Sequence, residues 1–207
     1  MFLKERIIHN GQRGATLIEA LVSILVLSLG LLGMAGLQLN ALSFQKSSWA
    51  QHRVSELTID IIERMQTNPT ASQKGLYNYT QTYALSASAN LPSLGCQTAT
   101  TPCSSQQIAG DDLSSWLRKA QRTLPGGAAS ITGDAANGFV ATAMYFDKDF
   151  RDALTNAPST SDACTAATTG NAWRNCCPAT AAVPLGVRCA RTPFIVYVES
   201  TLASAPP

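Results

Sequence analysis

The N-terminal quarter of the chain is almost unbroken hydrocarbon. Between positions 15 and 45 one ionisable side chain occurs, Glu19, and residues 20–37 (ALVSILVLSLGLLGMAGL) hold nothing more polar than Ser23 and Ser28. As a helix, residues 15–37 would extend about 35 Å, enough for a hydrocarbon core of about 30 Å. Past position 38 the pattern changes while helix breakers stay absent: no proline or glycine occurs through residue 66. Val54, Leu57, Ile61 and Met65 form an i, i+3, i+4 stripe among Glu56, Asp60, Glu63 and Arg64, so one face of a continuing helix should be buried. Asn68-Pro69 ends it.

The remaining pattern predicts an α+β head. Residues 70–110 are rich in small polar side chains and predict loop with a short strand. Within them Tyr77, Tyr79 and Tyr83 read as anchors of loop onto domain. Leu113, Trp116, Leu117, Ala120 and Leu124 share one face of a helix over 111–124, with Asp111 or Asp112 as its cap and Pro125-Gly126-Gly127 as its stop. Strand-like runs follow at 129–132, 139–146 and 194–202. Helices followed by strands imply a small antiparallel sheet packed on the long helix. The intervening 148–190 segment is a long excursion that covalent closure would order.

Charge and cysteines refine this picture. Lys4, Arg6 and Arg13 precede the apolar run closely, whereas the twenty-odd residues after it offer Lys46 and Arg53. That bias places the N-terminus in the cytoplasm and the head outside. All six cysteines, at 96, 103, 164, 176, 177 and 189, follow the apolar run, as expected of disulfides in an oxidising compartment. Short loop closure favours Cys96–Cys103. The other four would form two bridges, with the adjacent Cys176 and Cys177 each paired elsewhere. A zinc site competes, but paired CxxC units are lacking and His9 and His52 lie outside the head. The formal net charge of +2 gives no support for nucleic acid as a partner.

Arg13-Gly14-Ala15-Thr16-Leu17-Ile18-Glu19 carries the most specific signal. A basic residue and a glycine precede the apolar helix, and one carboxylate lies five residues past the glycine. This order resembles the type IV pilin-like precursors. The resemblance implies cleavage between Gly14 and Ala15 by prepilin peptidase and N-methylation of Ala15. Residues 29–38 are similar to minor pilins of the PilV type. The helix-bending proline usual in major pilins is missing between residues 1 and 68, which argues against a major subunit. The resemblance implies four parts: a leader (1–14), a transmembrane and assembly half-helix (15–37), an amphipathic half-helix (38–67) and a periplasmic head (68–207). It also implies partners: prepilin peptidase, other minor and major pilins, the inner-membrane assembly platform, and the bilayer before assembly. A secretory signal cut after Gly33-Met34-Ala35 and an uncut anchor compete, but neither needs the Gly-Ala-Thr-Leu-Ile-Glu order and Glu19 would spoil a signal core.

Glu19 and Ala15 stand one helical turn apart on one face. A cleaved Ala15 amine on a neighbouring subunit could neutralise the Glu19 carboxylate in an apolar bundle; alternatively Glu19 rests at the membrane boundary and favours the helix N-terminus. Gly30, Gly33 and Gly36 recur every three residues, each costing about 1 kcal/mol of helix propensity in water. They would serve close helix packing or local flexibility. Catalytic motifs and cofactor-binding fingerprints are absent, so no enzyme activity and no cofactor are expected. Asp147, Asp149 and Asp152 could offer oxygen to calcium, but the EF-hand glycine and glutamate are missing and a polar turn is the simpler reading. The favoured function is a pilus assembly subunit. A type II secretion pseudopilin and a membrane-tethered periplasmic binding domain are the alternatives.

Overall fold

The computed structural model describes residues 16–96, 100 and 102–197. The chain divides into two units, Met1–Gln45 and Lys46–Pro207. One helix, α1 (Leu17–Thr67), runs through the first unit into the second and ends before Pro69. In the first unit its large apolar side chains are exposed, with Leu25 57% and Leu32 69% accessible.

In the second unit the fold is α+β, consistent with a pilin-like head. The order after α1 is α2 (Pro69–Gln73), α3 (Tyr83–Ser88), α4 (Ser105–Thr123), β1 (Ala128–Asp134), β2 (Gly138–Phe146), α5 (Gly170–Asn175), a 3-10 turn (Ala179–Ala181) and β3 (Val187–Phe194). The strands form an antiparallel sheet in sequence order. Period-two alternation gives each sheet face its own core. Ala129, Ile131, Phe139, Ala141, Ala143 and Tyr145 join Val54, Leu57, Ile61 and Met65 of α1 and Trp116 and Leu117 of α4. On the opposite face Ala128, Met144, Val187 and Cys189 pack with Cys177 and Ala181. The Trp116 indole donates to the Leu57 carbonyl at 2.8 Å, which fixes α4 on α1 and satisfies a buried N–H.

Three expectations are corrected. Helix α4 begins at Ser105, not at 111. Ser104 caps it reciprocally with Gln107, the hydroxyl accepting from the Gln107 N–H and the Gln107 carboxamide from the Ser104 N–H. Asp111 is released from capping and accepts from the Ser93 hydroxyl and the Leu94 and Gly95 N–H groups, tying down the preceding loop. The stretch read as loop with a strand contains α2 and α3, and its strand reduces to a bridge between Tyr79 and Ile131. The third strand runs over Val187–Phe194, with 195–197 beyond it and 198–202 outside the described residues. The β-branched Ile195-Val196 run was the misleading signal. Val196 is buried, but Ile195 and Tyr197 are 61% and 83% exposed. Val187 and Cys189 fill the buried positions of β3, where the Cys177–Cys189 bond lies.

Two glycines are demanded by close approach. At Gly127 a Cβ would collide with the Ala120 carbonyl at the end of α4. Gly186 has φ +81, and a Cβ there would strike the Phe146 ring where the chain turns into β3.

Candidate functional site

The apolar segment begins in the first turn of α1. Thr16 accepts from the N–H groups of Glu19 and Ala20, at 3.0 and 3.2 Å, and Glu19 stands in the first turn where the helix dipole favours a negative charge. The Glu19 side chain is exposed, and among the described residues no cation lies within ion-pair distance of it. Its own carbonyl accepts from the Ser23 hydroxyl at 2.7 Å, and Leu25 does the same for Ser28, so both serines satisfy their hydroxyls within the helix. Gly14 and Ala15 lie outside the described residues. Leu17–Leu42 is long and apolar enough to cross a membrane: 26 residues, mean hydropathy 2.3, none of it buried by the chain itself. The helix passes Gly30, Gly33 and Gly36 without a break, and a Cβ at any of them would meet nothing within 4 Å. Among the described residues nothing therefore requires these glycines.

In the head the cysteines pair as Cys96–Cys103, Cys164–Cys176 and Cys177–Cys189. Cys176 and Cys177 point to different partners. Cys164–Cys176 closes a loop that carries α5, and Cys177–Cys189 closes the next one, which carries the 3-10 turn, so the long excursion is bound to β3 covalently at Cys189.

Asp147, Asp149 and Asp152 do not converge. Asp147 pairs with Arg188 at 3.1 Å and accepts from the Asp149 N–H. Asp149 pairs with Lys148, and Asp152 caps its own turn by accepting from the Leu154 and Thr155 N–H groups. Among the described residues no group of three or more His, Cys, Asp or Glu is placed to hold a metal ion. His52 contacts Glu56 at 3.3 Å on the exposed side of α1. The tyrosines act as anchors: Tyr83 donates to the Gly126 carbonyl, and Tyr77, fully buried, donates to Asp112 at 2.7 Å.

Sequence reasoning missed the polar network around Tyr77. Arg64 bridges Asp60 and Asp112, both at 2.9 Å, while Lys119 reaches the other Asp60 oxygen at 3.0 Å. Burial acts to raise the Asp60 carboxyl, but hydrogen bonds from Arg64 and Lys119 outweigh it and hold Asp60 below the usual carboxylate range. Burial, reinforced by the Asp112 carboxylate, pushes the Tyr77 phenol well above its ordinary value. The i, i+4 spacing of Asp60 and Arg64 was legible; their long-range partners on α4 were not. A second missed group is Arg191 on β3, which packs on the Trp173 ring at 4.1 Å.

The prokaryotic N-terminal methylation motif matches residues 9–35, which is the prepilin-type signal and the opening of α1. No curated protein and no solved structure matches the chain. The motif and the apolar helix it opens indicate a type IV pilin-like or pseudopilin-like protein, a class that is typically structural; the motif implies processing by prepilin peptidase and pilin-type partners in general.

Proposed function

We propose that the chain is a minor pilin of the PilV type that enters or primes the type IV pilus. Prepilin peptidase cuts between Gly14 and Ala15, the Ala15 amine is methylated, and the apolar half of α1 holds the subunit in the inner membrane. The N-terminus lies in the cytoplasm and the head in the periplasm; assembly moves the subunit to the extracellular filament. The observation that carries this reading is the methylation motif opening directly into a 26-residue apolar segment that the chain does not bury itself. An exposed apolar surface of that size needs lipid or other helices around it.

Glu19 then acts in assembly. In the filament its carboxylate pairs with the Ala15 amine of a neighbour, compensating two charges that are each costly among apolar helices. Gly30, Gly33 and Gly36 let those helices approach. The test is mass spectrometry of sheared pili together with a Glu19→Ala variant. We expect a mature chain beginning at methylated Ala15 in the fibres. Glu19→Ala should be cleaved normally but depleted from pili at least about tenfold, as loss of a buried ion-pair partner demands. Normal incorporation of that variant sinks the pairing. Retention of Met1 favours a membrane tether, and recovery only with secretion-system fibres favours the pseudopilin.

A further inference from the structure

One disulfide of the head sits in an electrostatic setting unlike that of its neighbours. The Nη1 of Arg191 lies 3.0 Å from Cys164 Sγ and 3.3 Å from Cys176 Sγ, so one guanidinium faces both sulfurs of the same bond. The cation is fixed there. Its plane covers Trp173, and Nη1 also reaches the Trp173 carbonyl at 3.4 Å. Its Nε is buried without a hydrogen-bond partner, and among the described residues no carboxylate lies within ion-pair distance. Burial of this uncompensated charge draws the guanidinium below its ordinary value. A half-buried cation with an unsatisfied Nε and no anion beside it would be favoured by a thiolate, which supplies the missing charge. The Cys177–Cys189 bond contrasts with it, enclosed by Ala128, Met144, Ala181 and Val187. Access differs at one sulfur: Cys164 is half-buried, while Cys176, Cys177 and Cys189 are at most 3% exposed, so an incoming thiolate reaches this bond through Cys164. Cys176 and Cys189 both border a hydroxyl-rich groove of about 1000 Å³ lined by Ser159, Ser161, Thr165, Thr169 and Asn175, so the groove does not distinguish the two bonds and the arginine does.

We propose that Cys164–Cys176 is a thiol–disulfide exchange site, with Arg191 as its positioning residue and a dithiol as its reaction partner. The partner's thiolate attacks Cys164 Sγ, forming a mixed disulfide, and the electrons of the broken bond leave on Cys176 as a thiolate held by Arg191. The partner's second thiolate then attacks its own sulfur in the mixed disulfide and releases Cys164 as a second thiolate. The partner ends oxidised by two electrons and the bridge reduced; the reverse sequence installs the bond. A leaving thiolate of lowered basicity departs faster, which is the arginine's contribution. Exchange opens the loop that carries α5 and leaves Cys177–Cys189 clamping the excursion to β3. This inference is independent of processing at Gly14.

The test exposes the full chain in detergent micelles to reduced glutathione under native conditions, traps thiols with iodoacetamide at timed intervals, and maps each cysteine by mass spectrometry. We expect the glutathione adduct on Cys164, alkylation on Cys176, and opening of this bridge at least about tenfold ahead of Cys177–Cys189. Arg191→Met should slow the step about tenfold, with Arg191→Lys between it and wild type. A purely structural arginine gives the opposite sign, since loosening its packing would speed reduction. An adduct on Cys176, earlier opening of Cys177–Cys189, or an Arg191→Lys rate at or above wild type overturns the proposal. Should Arg191→Met fail to fold, the adduct position in the wild type and the Arg191→Lys rate still decide.

Discussion

The two halves of α1 have the same backbone and opposite side-chain logic. From Leu17 to Leu42 leucines and valines point outward all round the helix, and none of the segment is buried. From Ala50 to Met65 the buried apolar residues form one stripe, in which Leu57, Ile61 and Met65 are at most 1% exposed, while Ile59 off the stripe is 55% exposed. Neither half derives its helicity from propensity alone; in each, the surroundings of the side chains decide what the helix is for. A helix apolar all round suits a solvent that is itself apolar, while a striped helix needs a protein partner. The transition falls where ionisable residues return, at Lys46 and beyond.

The sharpest way to break this comparison is to remove the same kind of side chain from each half. Ile61→Ala should destabilise the head by about 2–5 kcal/mol, because it leaves a cavity between α1, α4 and the sheet. Leu25→Ala should change head stability by less than about 0.5 kcal/mol. Urea unfolding followed by tryptophan fluorescence on the full chain in micelles would measure both. Equal losses would mean that the halves are not distinct.

A smaller effect comes from pH. Asp111, like Asp60, is held low: burial acts to raise it, but the Ser93 hydroxyl and the loop N–H groups prevail. A depressed carboxyl contributes stability that is present above its unfolded value, near pH 4, and is lost as pH falls through the folded value. The head should therefore lose stability in acid below about pH 4. Tyr77 acts at the other end. Its raised value gives stability that is present below about pH 10 and declines as pH rises further, because the unfolded phenol ionises first. Unfolding midpoints across pH, with Tyr77→Phe reducing the alkaline loss to the share left by Tyr79, Tyr83 and Tyr145, would check both signs. The smallest expected effect is at the α4 cap, where Ser104→Ala should cost about 1 kcal/mol. That loss should appear in head unfolding and leave membrane insertion unchanged.

Legibility followed the range of the forces. The apolar run, the amphipathic stripe and the Pro-Gly-Gly stop are local signals, and α1 and the end of α4 occur where those signals put them. The start of α4 was misread because Asp111 looks like a cap by composition, yet its carboxylate is claimed by a loop that only the folded chain brings near. Strand β3 was misplaced because its buried positions, Val187 and Cys189, lie before Pro193, whereas the β-branched run that drew the prediction lies after it.

By itself the sequence settled the features that depend on neighbours along the chain: a membrane-length apolar helix with one carboxylate, the methylation motif at its start, and the direction in which α1 must bury its second half. Tertiary structure alone decided the disulfide partners around Cys176 and Cys177, the Asp60–Arg64–Asp112–Tyr77 network, and the placement of Arg191 against a disulfide. Those features join residues from separate elements. Which groups meet is set by how apolar faces pack, and local preference carries no information about contacts made across the fold.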